Sequence, residues 1–144
     1  MDASTKSQVF IVEDHRDMRE SLRTLINFEP DMAVCGEANN VARALELLPI
    51  MKPDVALVDL ELGTQTGMDL LRGLQERGIK VPILILSMHS ETLYAEPMIS
   101  QGVQGYLMKS APADEVIHAL REVLKGQIYR SSWIKQQRIA QGRA

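Results

Sequence analysis

Five side chains in this sequence carry chemistry at matched places: the adjacent acids Glu13 and Asp14, the carboxylate of Asp59, the hydroxyl of Ser87 and the ammonium of Lys109. Each closes a short apolar run: Val9-Phe10-Ile11-Val12, Val55-Ala56-Leu57-Val58, Val81-Pro82-Ile83-Leu84-Ile85-Leu86 and Gly105-Tyr106-Leu107-Met108. Brought together, the three carboxylates would bind a hard divalent cation, and Mg2+ takes a few carboxylates plus waters and phosphate oxygens. The ammonium and the hydroxyl would hold an anionic phosphoryl group beside that cation. A carboxylate left accessible there is a nucleophile toward phosphorus, and its product is an aspartyl phosphate.

Taken singly, each residue has a plainer use. Asp14 would N-cap a helix beginning near His15, Asp59 would cap or turn a loop, Ser87 would satisfy a loop amide and Lys109 would be a solvated charge. The conjunction favours the chemical reading, because independent loop residues have no reason to place acids, a hydroxyl and a lysine after the first, third, fourth and fifth strands.

Those strands alternate with amphipathic stretches. Met18, Leu22, Leu25 and Ile26 share one helical face. Met32-Ala33-Val34-Cys35 reads as the second strand, and Ala42, Leu45 and Leu48 as a short helix that Pro49 terminates. Leu70, Leu71 and Leu74 form the next face, closed by Gly78. A helix over Glu91–Gln101 contains Pro97, which predicts a kinked, short or late-starting element. Val116, Leu120, Val123 and Leu124 face one way in the last helix, which Gly126 stops. Five strand–helix units in series predict an α/β fold: a doubly wound, five-stranded parallel sheet with helices on both faces. In such a sheet ligands bind outside the carboxyl ends of the strands, where the five chemical side chains fall.

Composition sets the remaining bounds. The chain has 144 residues, 45% hydrophobic and 24% charged, which suits one domain and excludes disorder, collagen-like repeats and a coiled-coil rod. A lone cysteine, Cys35, excludes an internal disulfide framework and a cysteine-rich zinc site, and reads as strand packing. Residues 1–8 are a polar extension without a signal-peptide apolar core, and no run reaches the roughly 18 apolar residues of a membrane span. A net charge of -3 leaves no footprint for nucleic acid contact by this chain itself. The expected compartment is cytoplasmic, with no membrane association. Residues 9–126 form the expected domain, and 127–144 a basic tail or the start of a linker. From Lys125 onward the charged residues are Lys125, Arg130, Lys135, Arg138 and Arg143, and Trp133 and Ile134 would dock on the domain or on a second copy. His15, His89 and His118 lack metal-ligand spacing and read as surface or rim residues, although His89 is close enough to Ser87 to influence a hydrolytic water.

At these residues the sequence resembles the receiver domain of two-component response regulators, a CheY-like fold of flavodoxin-like topology. The resemblance covers about Val9 to Lys125 and rests on Phe10-Ile11-Val12-Glu13-Asp14, Asp54-Val55-Ala56-Leu57-Val58-Asp59-Leu60, Ile85-Leu86-Ser87, Gly105-Tyr106-Leu107-Met108-Lys109, and Gly67 before the third helix. It implies that Asp59 accepts a phosphoryl group from a histidine of a sensor kinase or phosphotransfer protein. It implies Mg2+ ligated by Asp14, Asp59 and the backbone carbonyl of Glu61, with Glu13 acting through a water. Lys109 would pair with a phosphoryl oxygen, Ser87 would swing to bond another, and Tyr106 would move inward with it. Added charge would then rebias a two-state surface near the fourth and fifth strands.

The segment Gly105-Tyr106-Leu107-Met108-Lys109-Ser110 and the tail resemble receivers of LuxR/NarL-type transcription factors, which continue into a DNA-binding domain. A stand-alone regulator or a phosphorylation-independent binding module is the alternative, and a homodimer is a further expected partner. The intact set of Asp14, Asp59, Ser87 and Lys109 argues against the binding module. A flavodoxin-like nucleotide binder would need a phosphate loop where Glu13-Asp14-His15 repels phosphate. Asp59-Leu60-Glu61 superficially resembles the motif of haloacid-dehalogenase-like phosphatases, but in those the motif opens the first strand. An enzyme acting on other substrates is therefore not expected. Departures from the family pattern are Met88, expected to crowd the phosphoryl pocket and slow exchange, Gly63 and Thr64 in the loop after Asp59, Ser110 where proline is common, and Pro97 on the presumed signalling face.

Overall fold

A computed structural model describes residues 5–131. In chain order the elements are β1 (Ser7–Val12), α1 (Arg16–Asn27), β2 (Met32–Ala38), α2 (Val41–Met51), β3 (Val55–Asp59), β4 (Glu61–Leu62), β5 (Gln65–Thr66), α3 (Gly67–Glu76), β6 (Ile83–Ser87), α4 (Glu91–Gln101), β7 (Gly105–Met108) and α5 (Ala113–Leu124). The main sheet is parallel throughout, in the order β2-β1-β3-β6-β7. The two-residue strands β4 and β5 form a small antiparallel hairpin around Gly63 and Thr64.

β1, β3 and β6 are apolar along nearly their whole length because both faces of the sheet are covered. Val9, Ile11, Leu57 and Leu84 pack toward α1 and α5 with Leu22, Ile26 and Leu120. Phe10, Val12, Val58 and Ile85 pack toward α2, α3 and α4 with Leu48, Leu70, Leu74 and Met98. The sheet is therefore doubly wound, and its order reverses between β1 and β3, so the crevice at their carboxyl ends is the natural ligand site.

Several local expectations need correction. Pro49 does not terminate α2, which runs on to Met51, with Lys52 left-handed beyond it. A proline this close to the end forfeits a single backbone bond, and the helix tolerates it. The buried face of α2 is Val41, Ala44 and Leu48; Ala42 is exposed and Leu45 half-buried. Nor is α4 short or late-starting: it spans Glu91–Gln101 with Pro97 on its exposed side. β2 reaches Ala38 rather than stopping at Cys35, and β1 begins at Ser7, inside the expected polar extension. Packing also continues past residue 126: the Tyr129 amide donates to the Gln104 carbonyl (2.8 Å), its ring is buried, and Tyr129 bridges Gly105 in parallel. Basic composition hid that apolar anchor. Trp133 and Ile134 lie outside the described residues. No cis peptide occurs among the described residues, Ser110 included.

Candidate functional site

The carboxyl ends of β1, β3, β6 and β7 bring Glu13, Asp14, Asp59, Ser87 and Lys109 to one rim. Asp59 ends β3 in a wholly buried strand, yet its carboxylate stays at the mouth of the crevice and is only 2% exposed. Lys109 Nζ reaches Asp59 Oδ2 at 2.9 Å and Glu13 Oε1 at 3.3 Å. Its backbone is fixed by its own amide, which donates to the Ser87 carbonyl (2.7 Å). Lys109 is thus no solvated charge; its side chain is 14% exposed between two carboxylates. Burial alone would pull its pKa down, but the Asp59 hydrogen bond and the charges of Asp59 and Glu13 outweigh that and hold it above the usual range.

Asp14 is not spent on capping. His15 is the N-cap residue of α1 and makes no side-chain cap bond. Instead His15 Nδ1 lies 3.1 Å from Glu13 Oε2 and 3.1 Å from Asp14 Oδ1, and the His15 amide donates to Glu13 Oε2 (3.0 Å). The hydrogen bond to Glu13 and the two acidic charges raise the His15 pKa. Burial raises that of Glu13, opposed by the His15 amide and helped by the neighbouring Asp59.

One ligand atom each from Glu13, Asp14, His15 and Asp59 falls within 4.8 Å of the others. Two oxygens in this group, Glu13 Oε1 and Asp14 Oδ1, are buried without a hydrogen bond; each lies at ion-pairing distance from Lys109 or His15, but not in donor geometry. Buried carboxylate oxygens with unused lone pairs are costly unless a cation completes them, and an oxygen-rich set suits a hard divalent ion. Membership of His15 in this cluster escaped the sequence reading, although its adjacency to Glu13 and Asp14 was the available signal.

Across the rim, Ser87 and Tyr106 are both buried. Ser87 Oγ accepts from the His89 amide (3.0 Å), and the Tyr106 hydroxyl donates to the His89 carbonyl (2.8 Å). Burial raises the phenol pKa of Tyr106, so it stays a neutral donor. His89 Nε2 lies 3.1 Å from Glu61 Oε1 on the hairpin, and its ring tilts against Tyr94. The Glu61 amide, in turn, donates to Asp59 Oδ1 (3.1 Å). Asp59 and Ser87 therefore do carry out the local backbone bonding expected of loop residues, alongside their place in the rim. Met88, next to Ser87, is 72% exposed. His118 sits on α5, edge-on to Tyr129.

Gly67 shows how tightly the hairpin and α3 close on this rim. A Cβ there would sit 3.0 Å from the Asp59 carbonyl oxygen and 3.0 Å from Val58 Cγ1. A side chain at this position would push the start of α3 a few tenths of an ångström away from β3. The arrangement can hold a cation against the acids and an anion against Lys109, with one carboxylate in reach of both.

Comparison with known proteins agrees with this geometry. Residues 9–121 match the family model of the response regulator receiver domain. The chain is 34% identical over 118 residues to the transcriptional regulatory protein DesR of Bacillus subtilis (strain 168), covering 82% of this chain and 58% of DesR. It is 32% identical to the nitrate/nitrite response regulator protein NarP of Escherichia coli (strain K12), covering 94% of this chain and 63% of NarP. The chain thus spans a little over half the length of these relatives. Among solved structures, a LuxR-family two-component response regulator from Aurantimonas sp. SI85-9A1 superposes with a TM-score of 0.83 at 32% identity, over 91% of this chain and 94% of that one. No helix among the described residues is long and apolar enough to cross a membrane. With its fold, its acidic rim and these matches in agreement, the chain belongs to the response regulator receiver family of two-component systems, in which phosphorylation of an aspartate is characteristic, and its relatives are of the LuxR/NarL kind.

Proposed function

We propose that Asp59 is the phosphoacceptor and that the phosphoryl donor is a histidine of a sensor kinase or phosphotransfer protein. The observation that carries this reading is the Asp59 carboxylate itself, buried at the rim with Lys109 Nζ at 2.9 Å and the acids of Glu13 and Asp14 beside it. An Asp59 oxygen attacks phosphorus, the bond from phosphorus to the donor imidazole nitrogen breaks, and an acyl phosphate remains on Asp59. Mg2+ held by Asp14, Asp59 and the Glu61 backbone carbonyl, with Glu13 acting through a water, would supply charge neutralisation for the incoming phosphoryl group. Lys109 passes from the Asp59 carboxylate to a phosphoryl oxygen, a charge-assisted bond of the same type. Ser87 turns its hydroxyl to another phosphoryl oxygen, giving up the His89 amide it now serves.

That exchange reaches outward. The His89 amide and carbonyl bond Ser87 and Tyr106, so a turn of Ser87 moves the segment leading into α4. Tyr106 is the aromatic partner of that motion. In this reading the chain turns over no other substrate and acts only on its own phosphorylation and dephosphorylation. It works in the cytoplasm as the receiver of a LuxR/NarL-type regulator, pairs with a second copy, and reaches DNA only through another domain of such a protein.

Intact-mass measurement after incubation with acetyl phosphate tests the assignment. A single phosphoryl adduct that requires Mg2+ and is absent from Asp59→Asn is expected. An adduct of equal yield on Asp59→Asn would move the acceptor elsewhere, and none on folded wild type would leave a binding module.

A further inference from the structure

The segment after α5 is tied to the domain at three points, none of which the phosphorylation chemistry uses. Tyr129 extends the sheet beyond β7: its amide donates to the Gln104 carbonyl (2.8 Å), and it pairs with Gly105 as a parallel bridge. Its buried ring lies edge-on to His118, and its hydroxyl bonds the Glu115 carboxylate. Arg130 then reaches across to α4, where its guanidinium holds Glu96 through Nε on one carboxylate oxygen and Nη2 on the other (3.1 Å).

The sheet edge is cut to fit this segment. A Cβ on Gly105 would sit 2.9 Å from Tyr129 Cβ and 2.8 Å from Leu84 Cδ1, so the close approach exists only because residue 105 has no side chain. Open strand edges are sites where an extended segment adds by backbone pairing. Here the occupant is the chain's own residues 127–131. Bidentate guanidinium–carboxylate pairing is directional, so Arg130 registers where α4 stands.

We infer that residues 127–131 form a strap over the β7 edge that reads the position of α4 through the Arg130–Glu96 pair and passes it to the chain beyond residue 131. The signalling half of this inference rests on the proposed phosphorylation of Asp59. When Ser87 withdraws from the His89 amide, α4 shifts with the segment that precedes it, Glu96 leaves the fork of Arg130, and the strap loosens. By linkage, a loosened strap also favours the phosphorylated arrangement.

Amide hydrogen exchange at Tyr129, followed by NMR on the full chain, tests both halves. In the unphosphorylated chain Glu96→Gln is expected to speed exchange at Tyr129 by about tenfold, in keeping with loss of a charged hydrogen bond. Arg130→Glu does the same, and Glu96→Arg combined with Arg130→Glu restores slow exchange. With acetyl phosphate and Mg2+, wild type is expected to show the same acceleration in step with its phosphoryl adduct by intact mass. Unchanged Tyr129 exchange in Glu96→Gln and Arg130→Glu, with the fold intact, overturns the strap. An adduct on Asp59 with Tyr129 exchange unmoved overturns its signalling role while the phosphoacceptor assignment stands. If no adduct forms, that assignment fails, the signalling role falls with it, and the charge-swap variants decide the strap alone.

Discussion

Helices α3 and α4 lie on the same face of the sheet and come after the strands that deliver Asp59 and Ser87 (α3 by way of the β4–β5 hairpin), yet they are built to different standards. α3 opens on a full capping box. Thr66 Oγ1 accepts from the amides of Met68 (3.1 Å) and Asp69 (3.3 Å), and Asp69 Oδ2 accepts from the Thr66 amide (2.9 Å). It buries Leu70, Leu71 and Leu74. α4 opens on Ser90 without a side-chain cap bond, carries Pro97, buries only Ala95 and Met98, and leaves Leu93 and Tyr94 exposed. The helix beside Asp59 is capped by its own sequence; the helix beside Ser87 packs on the sheet through a smaller buried face and gains bonds from the post-α5 segment. A low-stability element is what a small local charge change can move.

Truncating the two cores gives the largest contrast. Leu70→Ala is expected to cost about 3 kcal/mol of global stability in urea, inside the range for buried leucines. Met98→Ala is expected to cost less than half of that and to speed hydrogen exchange in α4 alone. Equal global losses would mean that α4 belongs to the same cooperative unit as α3 and that the contrast is superficial.

Removing the proline sharpens the comparison from the other side. Pro97 has no amide for the Leu93 carbonyl, and an interior proline costs a helix about 3 kcal/mol. Part of that returns through the stiffer unfolded chain, so Pro97→Ala is expected to stabilise α4 by about 2 kcal/mol. A firmer α4 then resists phosphorylation, and the adduct yield at fixed acetyl phosphate should fall. Unchanged α4 protection would mean that the helix already accommodates the ring at no cost.

Capping is the next smaller difference. Thr66→Ala should cost about 1 kcal/mol, the usual value of an N-cap, whereas Ser90→Ala should stay within about 0.5 kcal/mol. Denaturant midpoints at constant slope measure both. A loss at Ser90 as large as at Thr66 would erase the distinction.

The sequence was readable where one physical signal ruled. Runs such as Ile83–Leu86 must be buried on both faces, and Glu13, Asp14, Asp59, Ser87 and Lys109 fall at strand ends whatever the details of packing. It misled where two signals competed. Proline grammar predicts a stop at Pro49 and a kinked, short or late-starting helix around Pro97, but both helices run through, with Leu48 and Met98 buried beside the prolines. Periodicity does not encode the placement of His15, whose ring stays exposed yet lies 3.1 Å from oxygens of both Glu13 and Asp14. Tyr129 and Arg130 were hidden because their partners, Glu115 and Glu96, lie 14 and 34 residues away.

A further small effect lies on the opposite face, where α5 is clasped by an ion pair as well as packed. Arg121 holds Asp31 through Nε (3.0 Å) and Nη2 (3.0 Å) and also reaches Glu29 (2.6 Å), clasping α5 to the turn before β2. The hydrogen bond to Arg121 holds the Asp31 carboxyl below its usual pKa, against a small opposing effect of burial. A carboxylate depressed in the folded state contributes stability that is present above its unfolded pKa, near 3.8, and is lost as pH falls through the folded value. Asp31 is half exposed, so solvent screening limits the contribution to under about 1 kcal/mol. Wild type should therefore exceed Asp31→Asn in stability by that margin at neutral pH, and the two urea midpoints should converge below about pH 4. No gap at neutral pH would assign the clasp to Glu29 or to packing of the Arg121 stem. A gap that closes at low pH would show the Asp31 contribution to be ionic, so that α5 is held by charge as well as by its buried apolar face.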